Sequence, residues 1–94
     1  MTNRNREAQE RFGANVEGLR QRRGMSVEAL AKRSQLGQGD LAEILSGEAE
    51  ASANSVYLLA GALGVEPDDL FKGMSWTPPA DGGSGYAVDR PKRR

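Results

Sequence analysis

The sequence predicts an all-α fold, a compact unit of five short helices, and three observations carry that expectation. Apolar residues recur at helical spacing, no alternating run long enough for a strand appears, and serine or proline starts and glycine stops punctuate the chain at helix-length intervals. At 94 residues and 37% apolar content the chain suits one small domain.

The first helix is expected from about Asn5 to Arg23, because Phe12, Val16 and Leu19 fall at i, i+4 and i+7 on one face. Gly24 stops it by taking the left-handed conformation, and Arg20, Arg22 and Arg23 suit its carbonyl end. Ser26 caps a second helix that turns Leu30 and Ala31 inward and ends near Ser34. The segment Ser34-Gln35-Leu36-Gly37 is a tight turn with Leu36 plugging the core. A third helix runs from Gln38 to Leu45 on Leu41, Ile44 and Leu45, and Gly47 closes it. After a loop over residues 48–51, Ser52 caps a fourth helix with Val56, Leu59, Ala60 and Leu63 inward, ended by Gly64. Pro67 opens a short fifth helix, where its missing amide hydrogen costs nothing. Asp68 and Asp69 suit the positive end of that helix, and Leu70 and Phe71 anchor it.

The organisation expected is a polar extension over residues 1–9 that joins the first helix, a domain over 10–73 and a flexible tail over 74–94. In the tail, Trp76 and Tyr86 are the residues able to dock on the domain or on a partner, and Arg90 to Arg94 form a short basic run. The polar start has no apolar signal core, and the longest apolar run spans ten residues against the ~20 a membrane span needs, so a cytoplasmic protein with no membrane partner is expected.

Absent residue types narrow the chemistry. With no cysteine and no histidine, disulfides, thiolate or imidazole metal sites and histidine-based triads are excluded, and neither metal nor cofactor is expected. No enzyme is expected either: Asp68 and Asp69 diverge by ~100° on a helix, and the glycines from Gly82 to Gly85 precede neither a lysine nor a helix that would cradle phosphate.

Two short helices joined by a tight turn, with one helix before and two after, resemble the Cro/cI-type (XRE-like) helix-turn-helix family. The residues that carry the resemblance are Phe12-Gly13, Val16, Leu19-Arg20, Gly24-Met25-Ser26, Leu30-Ala31, Leu36, Leu41, Ile44 and Gly47, and then Leu59-Ala60, Ala62 to Val65, Pro67 and Leu70-Phe71. The resemblance covers about residues 10–73 and implies a lambda-repressor-like fold. It also implies a sequence-specific transcriptional regulator that binds double-stranded DNA as a homodimer, with the third helix in the major groove.

Under that reading Gln38, Gly39, Ala42 and Glu43 face base edges. Gln38 suits adenine N6 and N7, Ala42 a thymine methyl and Glu43 cytosine N4, while Gly39 permits close approach. The backbone contacts implied are Ser26, Val27, Arg22, Arg23, Lys32 and Ser46.

Two positions depart from the family pattern. Val27 stands where a phosphate-binding glutamine is usual, and Leu45 stands where a glutamate usually pairs with the equivalent of Arg20, so Arg20 must reach another carboxylate or solvent. The formal charge of zero is also unevenly spread. Residues 1–33 carry +4, residues 34–71 carry −7 with no basic side chain, and the remainder carries +3. Non-specific affinity for DNA comes largely from Lys and Arg. A second reading is therefore a protein-interaction module of the same fold, with an acidic face that takes a basic protein partner and little or no DNA.

Overall fold

The computed structural model describes residues 4–76 and 86–88, with side chains over 6–74. Four α-helices follow in order: α1 (Arg4–Arg22), α2 (Val27–Ser34), α3 (Gln38–Ser46) and α4 (Ala53–Leu63). The expected fifth α-helix is instead a 3-10 turn over Pro67–Phe71. Five residues leave room for little more than one turn, and the i to i+3 bond from Asp69 N to Glu66 O at 2.9 Å is the tighter pattern. Gly73 then leaves the segment with φ 78°.

Starts and stops fall within a residue of the expected places. Ser26 Oγ accepts from Ala29 N at 3.0 Å and Ser52 Oγ from Ser55 N at 3.1 Å, each satisfying a first-turn amide that the helix itself leaves open. Beyond the helices, Met74–Trp76 (β1) and Tyr86–Val88 (β2) pair antiparallel, with Trp76 opposite Tyr86, and β2 runs beside α1. The sequence announced no strand there. The side chains of Trp76 and Tyr86, the run from Gly82 to Gly85 and the basic Arg90 to Arg94 lie outside the described residues.

Most of the core the spacing predicts is buried, namely Phe12, Val16, Leu30, Ala31, Leu41, Ile44, Leu59, Ala60, Leu63 and Leu70, while Leu19, Leu45 and Val56, also expected inward, are half-buried against it. Ala8, one turn before Phe12, joins them. Leu36 is half-buried against this core and Ser34 is fully buried, its hydroxyl donating to Ala31 O at 3.3 Å. The rings of Phe12 and Phe71 meet at 5.1 Å and 48°, a tilted pair that ties the 3-10 turn to α1. Asn15 adds a polar clamp, its Nδ2 donating to Leu70 O and Lys72 O at 2.9 Å each.

Candidate DNA-reading face

The seating of α3 depends on two glycines. A Cβ on Gly13 would stand 2.4 Å from Ile44 O and 2.5 Å from Leu45 O, and one on Gly47 would stand 2.8 Å from Glu10 Cα. Only hydrogen at both places lets the backbones of α1 and α3 meet. Gly47 also holds φ 84°, which closes the end of α3. With Leu41 and Ile44 buried beneath it, α3 has one inward face and presents the opposite one to solvent.

That outward face carries Gln38, Gly39, Ala42, Glu43 and Ser46, all exposed, together with Asp40. Gln38, Ala42 and Ser46 follow i, i+4, i+8, and Gly39 and Glu43 form the neighbouring row. Gly37 starts α3 in an extended conformation without any capping side chain, so no side chain satisfies the first amides of α3. A Cβ on Gly39 would meet nothing within 4 Å, so packing does not require glycine there.

The six residues expected on the DNA backbone divide. Ser26 is exposed at the start of α2, and its hydroxyl hydrogen is free because its oxygen is the acceptor in the cap. Val27 is half-buried and packs its side chain on the core, leaving only its amide for a ligand. Lys32 is exposed in the last turn of α2. The hydroxyl of Ser46 donates to Glu43 O at 3.1 Å, so it offers a phosphate no hydrogen in this rotamer.

Arg22 and Arg23 lie against elements other than α3. Arg22 is nine residues from Gly13, about 180° around α1 from the contact with α3, and it lines a cleft with Asn15, Asp69 and Lys72. Arg23 reaches the end of α4, 3.4 Å from where a Cβ on Gly64 would stand. Helical spacing alone did not reveal which side of α1 carries α3.

Arg20 does find another carboxylate. Its Nε donates to Glu17 Oε1 at 2.9 Å, its Nη2 forms a salt bridge with Glu17 Oε2, and its Nη1 donates to Met25 O at 2.6 Å. The hydrogen bonds from Arg20 hold the Glu17 carboxyl below its ordinary value, with a smaller contribution from Gln21 and partial opposition from burial; Arg20 is correspondingly raised. The guanidinium thus bridges α1 to the residue before the Ser26 cap, with Leu45 in place of the usual partner.

The face is short of cations. Asp40, Glu43, Glu48 and Glu50 are all exposed along α3 and the loop after it, and Lys32 and Arg33 at the end of α2 are the nearest basic residues in sequence. Among the described residues no group of three or more acidic side chains is placed to hold a metal ion, and no helix is long and apolar enough to cross a membrane.

Comparison with known proteins defines the class. The helix-turn-helix family matches residues 16–70. The restriction-modification controller protein C.AhdI from Aeromonas hydrophila superposes with a TM-score of 0.66 at 33% identity, over 67% of this chain and 96% of that one. The clp gene regulator ClgR from C. glutamicum gives 0.64 at 28% identity, over 67% and 82%. An HTH_3 family transcriptional regulator from Vibrio cholerae gives 0.68 at 21% identity over 71% and 38%, a likeness of fold alone. No curated protein is matched by sequence. The chain belongs to the helix-turn-helix family of Cro/cI type.

Proposed function

We propose that this chain, a helix-turn-helix DNA-binding transcription regulator, reads its operator by laying α3 in the major groove, with Gln38, Gly39, Ala42 and Glu43 toward the base edges. The observation that carries this reading is the outward face of α3: an unpartnered amide, a bare glycine, a methyl and a carboxylate in two adjacent rows, on a helix whose seating two glycines define. Ser26, the amide of Val27 and Lys32 supply the backbone contacts nearest that face, and residues 10–73 form the binding unit. The regulator works as a homodimer on paired half-sites about one helical turn apart, acts in the cytoplasm and catalyses no reaction.

A second reading has its own support. Four exposed carboxylates on α3 and its following loop favour a basic protein partner over a polyanion. In vitro selection from a random duplex library, followed by footprinting, separates the two. A sequence-specific reader enriches a two-fold symmetric site. Gln38→Ala then loses about 1–3 kcal/mol on that site and relaxes discrimination at one base pair. Gly39→Ala stabilises the fold by roughly 0.5–1 kcal/mol and weakens binding. A folded protein that enriches no duplex at low salt refutes the DNA reading and leaves the acidic-face module.

A further inference from the structure

The turn between α2 and α3 holds the one non-glycine residue with positive φ among those described: Gln35, at φ 66° and ψ 18°. The other four left-handed positions, Gly24 after α1, Gly47 after α3, Gly64 after α4 and Gly73 after the 3-10 turn, are all glycine. Each α-helix but α2 therefore passes into a left-handed residue with no side chain to strain. A glutamine there is also not one of the residues, such as Asn or Asp, that tolerate this region through local hydrogen bonds.

The fold makes no use of that side chain. Gln35 is exposed, and its backbone N–H donates to Ala31 O and Lys32 O, bonds that glycine would make equally well. Backbone strain kept where the fold would be better served by glycine points to a role at the surface.

Resting on the DNA reading above, we propose that Gln35 is a further DNA-contacting residue whose side-chain amide donates to a phosphate oxygen at the edge of the groove read by α3. Position supports the assignment. In a docked helix-turn-helix the first helix crosses the sugar-phosphate backbone and the second enters the groove, so the turn between them lies beside the groove edge. Chemistry supports it as well. Residues 34–71 include no lysine or arginine, so a neutral amide is the kind of donor this stretch offers a phosphate. Gln35 and Gln38, three residues apart, then divide the work, the former fixing register on the backbone and the latter reading a base.

The test compares the wild-type chain, Q35G and Q35A on the duplex that the wild type enriches from a random library, alongside thermal denaturation of each protein. For Q35G the expected result is a melting temperature equal to or a few degrees above wild type and an affinity about tenfold lower. The loss should be the same on duplexes carrying single base-pair changes, and the slope of log affinity against log salt should not move, because an uncharged donor displaces no counterion. Q35A should share the affinity loss without the thermal gain. Binding by Q35G equal to wild type overturns the proposal, and a loss confined to one base pair overturns the phosphate assignment. If the wild type enriches no duplex, the DNA reading fails and the role of Gln35 fails with it.

Discussion

Helices α2 and α3 differ by one residue in length, yet they are secured in different ways. The start of α2 has the Ser26 cap and the guanidinium of Arg20 on the preceding carbonyl, and its last turn carries Lys32 and Arg33 at the carbonyl end. At α3 the cap side chain, the bridging arginine and the closing cation are all missing; Gly13, Gly47 and the buried Leu41 and Ile44 hold it. Local polar side-chain bonds are thus concentrated at the start of α2, while α3 starts without one and is closed at its end by backbone bonds from Gly47 and Glu48 and by the Ser46 hydroxyl, all to Glu43 O. A helix held from behind in this way leaves Gln38, Gly39, Ala42 and Glu43 exposed, whereas the Ser46 hydroxyl is used on Glu43 O.

The largest effect that tests this contrast is on α3. Leu41→Ala removes a fully buried side chain from a helix without an N-terminal side-chain cap and should cost about 2–5 kcal/mol in urea denaturation. A loss near zero would mean that α3 does not depend on packing. Next comes Ser26→Ala, which strips the cap of α2 and should cost about 1 kcal/mol. A cost matching that of the Leu41 variant would mean that one capping hydroxyl secures α2 as strongly as a buried leucine secures α3.

The smallest effect is a pH dependence. Because the folded Glu17 carboxyl lies below its ordinary value of 4.5, its stabilising contribution is present above that value and fades as pH falls through the folded value. Stability should therefore drop in acid more steeply for wild type than for Glu17→Gln, with the change felt first at the entry to α2. Identical acid limbs would remove Arg20 from the account of how α2 is anchored.

How much of this was legible beforehand follows from the range of each signal. Ser26, Ser52, Gly24, Gly47, Gly64 and Pro67 act within a turn of where they stand, so helix boundaries could be read directly, and the core followed from 3.6-residue spacing. The fifth helix was misjudged because proline, two aspartates and two apolar residues announce a helical start without fixing whether the bonds run to i+3 or i+4. Asn15 was missed since its partners lie 55 and 57 residues away. The left-handed Gln35 was missed because a glutamine carries no local sign of that conformation. Within the candidate site, the outward exposure of Gln38, Gly39, Ala42 and Glu43 on α3 was readable from one helix alone. The placement of Arg22 and Arg23 was not, since it depends on which flank of α1 the other helices occupy.

The carboxylates along Asp40, Glu43, Glu48 and Glu50 carry a consequence for life among bulk chromosomal sequence. Most regulators are parked for much of their time on the ~10⁶–10⁹ wrong sites that compete with a target. If α3 reads DNA as proposed, these carboxylates disfavour undifferentiated phosphate and shorten the time spent there. On that proposal a low copy number would suffice to keep an operator occupied, and occupancy would follow synthesis closely because no large reservoir would buffer it.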